Sequence, residues 1–361
     1  MNEKKINNNG YQLVSKYRGA IMGIAALWIY VFHAWIILSP EQQAGSFNLI
    51  SFLERYIKEI GFAGVDIFFM VSGIGLTFAI KKESLPVFYY RRIRRVALPA
   101  LTVGIIRGIV QNWGFAETLR IVSGYNFFMK SIYDFVWFVP SIIILYIFFP
   151  LYWKFFDKSG NKGLFTTGAI LIWLTVTLLV RNTLREDFFG FTARIPIFLI
   201  GILLGYLTQK HKTAVFKAGT YVMLIIVFVN GLYLAYLTNF KQYKLIVPAD
   251  NSFLPTAFIA IGLTFLTAKI LEITERRLPR FGKGLVAVLA FFGSISLELY
   301  CIQWWFAPMN TLFLEDGWPP YLINIALFLL ITACSWVMSI LFKYFWELIE
   351  QPFKHRKAAK R

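Results

Sequence analysis

Cysteine and histidine are scarce in this 361-residue chain, with two of the first and three of the second. Cys301 and Cys334 both fall inside apolar runs, where a free thiol packs as a small hydrophobe, and no His/Cys spacing suits a metal ion. A disulfide framework, a thiol nucleophile and a metal centre are therefore not expected. Acidic residues are few as well, 19 Asp and Glu against 37 Lys and Arg. The resulting formal charge of +18 does not point to nucleic acid. That would need a soluble basic face with interleaved aromatics, whereas the basic residues here occupy short breaks between apolar runs. No small-residue cleavage site follows the first apolar run, so the run is expected to remain as a span. Internal repeats, low-complexity tracts and a separate soluble domain are also missing.

What the chain has in abundance is apolar surface: 58% hydrophobic residues, 18% aromatic, and a mean hydropathy of +0.60. A soluble domain lies nearer 45–50% apolar, so the composition reads as an all-α polytopic membrane protein. About ten transmembrane helices are expected, each near the ~20 residues that cross the hydrocarbon layer. They begin near Ile21, Gly61, Val96, Asp134, Leu164, Ala193, Phe216, Phe253, Leu285 and Tyr321. The third is weakened by Arg107 and the sixth by Pro196. With the N-terminus inside, inner segments carry 27 Lys and Arg and outer segments 10, which together are all 37. Both termini are then cytoplasmic by the retention of positive charge on that side. This divides the chain into a cytoplasmic tail (1–20), a transmembrane domain (21–346) and a basic cytoplasmic tail (347–361) that meets anionic membrane lipids. Gln42–Ile60 is the longest outer connection.

Within that frame His33 stands out, deep in MGIAALWIYVFHAWIIL. An ionisable group at such depth costs roughly 2–3 kcal/mol or more and marks a functional site by default. It lies about five residues, or ~7 Å, below the outer end of its span. Asp66, in GFAGVDIFFMVSGIGL, lies at a similar depth on the next span, so a tight hairpin is expected to set the two side by side. A carboxylate beside a neutral imidazole fixes its tautomer and stabilises the imidazolium, which is what a general base acting on a hydroxyl needs. The plainer reading is a His that bonds a neighbouring helix. On the inner side, Arg91, Arg92, Arg94 and Arg95 precede the third span. Topology and lipid headgroups account for a basic loop, but four arginines in five residues also form an anion clamp suited to the phosphates of a cytosolic donor.

The ordered set of His33 in an outward span, GVDIFFMVSG, FYYRRIRR, WFVPSIIILYIFFPLY, RIPIFLIGILLGY, SISLELYCIQ and ELIEQPF resembles the membrane acyltransferase-3 family, from about Arg18 to Phe353. The resemblance implies a ten-span enzyme of the bacterial cytoplasmic membrane. Such an enzyme moves an acyl group, typically acetyl, from cytosolic acyl-CoA to a hydroxyl of a surface carbohydrate or peptidoglycan, without a metal. It implies His33 as base, the Arg92/Arg95 pair or Arg91/Arg94 as arginines for CoA, and Asp66 and Arg194 as polar members of the central site. Two positions depart from the family pattern. Met22 stands where an arginine is common, eleven residues or about three turns before His33 and on its face; Arg18, one turn lower, is expected to snorkel into that gap. Gln303 stands where relatives often carry His, and it keeps hydrogen bonding but cannot titrate.

Other polar positions are weaker candidates. Glu298 falls mid-span and needs a partner or a proton; a substrate contact is preferred slightly over a structural bond. Arg107 and Arg194 face the outer half and suit an acidic sugar or an oxyanion. Asp134 and Trp137 read as interface anchors, Trp304 and Trp305 as packing or a sugar platform, and Glu350-Gln351-Pro352 as a structural stop. The rival reading is a transporter of a small solute or envelope precursor. A polysaccharide polymerase is disfavoured by short outer loops.

Overall fold

In hydrocarbon every backbone N–H and C=O must be paired within its own segment, which leaves helix as the conformation open to a chain of separate apolar runs. The computed structural model describes residues 10–35, 49–130, 137–180, 183, 190–211, 215–243 and 254–358, and among them every regular element is a helix. In chain order these are α1 (Gly10–Lys16), α2 (Arg18–Ala34), α3 (Leu49–Glu59), α4 (Ala63–Ala79) and α5 (Leu85–Val110). The short helices α6 (Phe115–Val122) and α7 (Tyr125–Lys130) follow, then α8 (Phe138–Lys158), α9 (Lys162–Val180) and α10 (Ile195–Lys210). The last five are α11 (Ala218–Phe240), α12 (Leu254–Arg277), α13 (Pro279–Ser294), α14 (Ser296–Glu315) and α15 (Pro320–Ala358).

Six stretches are long and apolar enough to cross a membrane: α8, α9, Gly190–Lys210 around α10, α11, α12 and Pro320–Glu350 within α15. Counting each of two bent pairs as one span raises the number to eight; α3 meets α4 at 42° and α13 meets α14 at 68°. The protein is thus an all-helical, multi-pass membrane protein with six to eight spans by length and composition. Of the ten expected, the first and third fall short for separate reasons. The α2 helix has 17 residues, about 25 Å at 1.5 Å each, and in α5 the arginine cluster and Arg107 leave no apolar window of span length. Asp134, the expected start of the fourth span, lies outside the described residues, as does the 42–48 part of the outer connection.

Close approach is bought by glycine where helices cross. Gly19 and Gly23 of α2 face Ala290 and Gly293 of α13, and a Cβ on Gly23 would run into the Leu289 carbonyl. Gly201 and Gly205 of α10 do the same against Met70 and Ile74 of α4. Small residues four apart let backbones touch, and that packing replaces the hydrophobic drive that lipid cannot supply. The α3 helix is amphipathic: Phe52 and Tyr56 pack on Tyr236 and Phe240 of α11, and Leu49, Ile50, Leu53 and Ile57 stay exposed.

Basic segments that are distant in sequence converge on one end of the bundle. Gln12 donates to the Thr208 carbonyl at 2.9 Å, Lys16 pairs with Glu275 at 2.6 Å, Lys81 lies over Trp153, Lys162 over Tyr206, and Arg94 pairs with Glu350. The opposite end collects Trp35 with Glu54 and Asn310 with the Ala34 carbonyl. The stop expected at Glu350-Gln351-Pro352 is not one. The α15 helix continues to Ala358, since a proline removes one backbone hydrogen bond without forbidding further turns. Both cysteines are free thiols, with Cys301 buried.

Candidate active site

Two adjoining spaces lie between the basic end and His33. The outer one, a vestibule of about 530 Å³, is lined by Glu83, Arg91, Arg92, Arg94, Arg95 and Glu298 and walled by the far end of α15 with Lys343, Trp346 and Glu350. The inner one, about 160 Å³, runs among α2, α4, α5, α8 and α14. Arg92, Arg95 and Glu298 line both, so the two spaces adjoin at these three side chains.

The arginine cluster divides by neighbours. Arg91 pairs with Glu83 at 2.7 Å and stays largely exposed, and Arg94 pairs with Glu350 while packing on the Tyr90 and Trp346 rings. Both are held by the protein itself. Arg92 reaches Glu83 only at 4.0 Å, and its Nε is buried with no hydrogen-bond partner among the described residues. Arg95 has no ion pair within 4.0 Å among the described residues and faces the cavity. Positions i and i+3 share a helix face, which puts Arg92 and Arg95 on the lumen side together. Arg18 joins them: it lines the cavity, is near enough to Arg92 and Arg95 to feel their charge, and lays its guanidinium over Gly75, where a Cβ would come within 3.2 Å of Nη2. Met22 lines the same cavity one turn further along α2. Three guanidiniums and the single carboxylate of Glu298 make this an anion-attracting space. Glu298 gets there because the 68° break after α13 turns the first residues of α14, Ser296 to Glu298, into the cavity.

Beyond the cations the walls turn apolar, with Ile29, Val65, Phe68, Phe138 and Tyr300. His33 is one turn past Ile29 on α2, and Gln303 is three residues past Tyr300 on α14. The two side chains meet: Gln303 Nε2 is 3.0 Å from His33 Nδ1. His33 is a partly buried residue that lines neither space, with the Trp304 ring 5.4 Å away.

Asp66 does not take the expected position beside His33. It is 1% exposed and faces Arg194, itself 4% exposed, with Oδ2 3.7 Å from Nε. Thr256 hydrogen-bonds Asp66 as well, and Arg194 donates to the Gly190 carbonyl at 2.8 Å beside the Trp137 ring. Equal depth on two helices does not fix their rotation, and rotation turned this carboxylate toward α10 and α12. Neither Asp66 nor Arg194 lines the cavity, so Arg194 offers no exposed guanidinium to an acidic sugar. Arg107 packs over Trp113, 5.5 Å away. Sequence reasoning passed over Ser72 and Tyr146, whose hydroxyls sit 3.5 Å apart on the cavity wall; lone hydroxyls in apolar runs gave no signal. Among the described residues no group of His, Cys, Asp and Glu is arranged to hold a metal ion.

A family model described as an acyltransferase domain, of the acyltransferase-3 type, matches residues 20–340. Neither curated proteins nor solved structures give a significant match.

Proposed function

The chain belongs to the acyltransferase-3 family and is a membrane acyltransferase; from that premise we propose that it carries an acyl group from acyl-CoA, bound at the basic end, to a hydroxyl presented near His33. The observation that carries this reading is a pair of adjoining spaces that share Arg92, Arg95 and Glu298, cationic at one end and lined at the other by Ile29, one turn before His33. The basic end is taken as cytoplasmic, with both termini there and all ten expected spans counted as membrane segments, in line with positive-inside retention. Phosphates of the donor rest on Arg92 and Arg95, whose planar forks suit phosphate oxygens, with Arg91 and Arg94 at the rim. Arg18 and Glu298 bracket the neck through which the thioester arm passes.

His33 takes the proton from the acceptor hydroxyl as its oxygen attacks the thioester carbonyl carbon. The C–O bond forms, the C–S bond breaks, and the thiolate leaves and takes a proton back from the imidazolium. The products are an ester and free CoA thiol. Asp66 and Arg194 serve this step by holding α4, α10 and α12 in place. A cavity of about 160 Å³ is close to the roughly 150 Å³ that admits one benzene-sized guest, which favours a short acyl group such as acetyl. A half-buried imidazole at the end away from the basic cluster favours an acceptor on the outer side: a cell-surface carbohydrate or peptidoglycan, as expected for a bacterial cytoplasmic membrane.

The test is purified protein in lipid nanodiscs with radiolabelled acetyl-CoA and a panel of polyol and glycan acceptors, read as labelled ester and released CoA. The parent transfers label; His33→Ala, still monodisperse, does not. Transfer by His33→Ala, or counterflow of a solute without acyl turnover, overturns the reading.

A further inference from the structure

A histidine that removes a proton with Nε2 must carry its own proton on Nδ1, and something must hold it there. Asp66, the obvious carboxylate, is engaged with Arg194. Among the described residues the side chain that reaches the His33 ring by hydrogen bond is Gln303, fully buried on α14 with its amide 3.0 Å from Nδ1. An amide offers N–H at one end and a carbonyl oxygen at the other in nearly the same shape, so this contact has two chemical forms. In one, the amide N–H donates to a bare Nδ1 and the ring proton sits on Nε2, which disqualifies Nε2 as a base. In the other, Nδ1–H donates to the amide oxygen and Nε2 keeps its lone pair.

Gln303 shows one amide end unpartnered among the described residues, and turning it over leaves one end unpartnered still, so that count does not choose between the forms. The position of the contact does. Gln303 meets the ring at Nδ1, which leaves Nε2 as the nitrogen open to an acceptor hydroxyl, and a neutral imidazole with its lone pair on Nε2 carries its proton on Nδ1. Such a ring presents N–H, not a lone pair, to Gln303. We propose that Gln303 is a positioning residue whose amide oxygen accepts from Nδ1–H, fixing the tautomer of His33 and leaving Nε2 free for the acceptor hydroxyl.

This rests on His33 acting as the base, and the test separates the two ideas. Only two other histidines exist, His211 and His355, so His211→Gln with His355→Gln leaves a single-histidine protein. Labelled with ¹⁵N-histidine in bilayers, its solid-state NMR spectrum reads which ring nitrogen is protonated. Nδ1–H is expected, preserved in Gln303→Glu, whose carboxylate can only accept, and lost to a tautomer mixture in Gln303→Leu. Acyl transfer follows the same order: Gln303→Glu keeps most of the rate, and Gln303→Leu loses roughly ten- to a hundredfold in kcat, the usual size for an orienting partner, with KM for acyl-CoA unchanged. A protonated Nε2 in the parent, or a folded Gln303→Glu as inactive as Gln303→Leu, overturns the proposal. An Nδ1–H spectrum from a protein that transfers no acyl group sinks the base assignment and leaves the tautomer standing.

Discussion

Arg18 lies over Gly75 in the cavity that Met22, Arg92 and Arg95 also line. If that guanidinium holds the donor, Arg18→Ala removes a charge-assisted hydrogen bond worth about 1.5–3 kcal/mol, or roughly 10- to 150-fold in kcat/KM for acyl-CoA by the 1.4 kcal/mol-per-decade rule. Gly75→Leu, which fills the guanidinium's resting place, should reproduce most of that loss with Arg18 intact. Steady-state kinetics on both variants decides it, and an unchanged Arg18→Ala refutes the role. That Met22 shares the face of His33 was legible from helical period; that a cation is common there came from the family resemblance. The partner of His33 was not legible, because hydropathy reports depth and leaves the rotation of each helix open; Asp66 was expected there, and Gln303 was read as a hydrogen-bonding position that cannot titrate. The same limit applies to the arginines. Arg92/Arg95 and Arg91/Arg94 have identical spacing, and only Glu83 and Glu350, the second more than 250 positions away, separate the two pairs.

At the scale of elements, Asp66 and Arg194 lock α4 to the start of α10, with Thr256 of α12 as a third point. Two charges at 1% and 4% exposure are costly to bury, and removing one strands the other at about 3–5 kcal/mol. Asp66→Asn and Arg194→Met should each lower the apparent Tm of the detergent-solubilised protein, and the double variant should recover much of the loss. An additive double variant would mean that the pair is not the lock. Helices themselves were easy to read, since long apolar runs have no other way to pair their backbone. Their bends were not: the 68° break between α13 and α14 that carries Glu298 into the cavity occurs inside one continuous apolar run, where hydropathy has no signal. Nor did composition alone foresee that α2, the helix bearing His33, is only 17 residues long, which brings its imidazole close to the end of the bundle.

Across the whole molecule the asymmetry is electrostatic. One end gathers Lys16, Lys81, Lys162 and Arg94 from four separate segments, and His33 lies toward the other, beside the Phe32 and Trp304 rings. Donor capture by the basic end is then a salt-dependent step, because exposed charges lose their reach as the Debye length falls from about 10 Å at 0.1 M to about 3 Å at 1 M salt. KM for acyl-CoA should rise with ionic strength in the parent, and less steeply in Arg92→Ala/Arg95→Ala, whose KM starts at least about tenfold higher with kcat little changed, as expected for two lost phosphate contacts. Arg91→Ala, already tied to Glu83 at the rim, should move KM less than either. The same polarity sets the direction of transfer. In proteoliposomes sorted by impermeant labelling of Lys158→Cys, acyl-CoA added on the labelled side should acylate an acceptor confined to the opposite side. Transfer that needs donor and acceptor on the same side would instead leave the two adjoining spaces serving one face of the membrane, and His33 would no longer sit at the exit of the path.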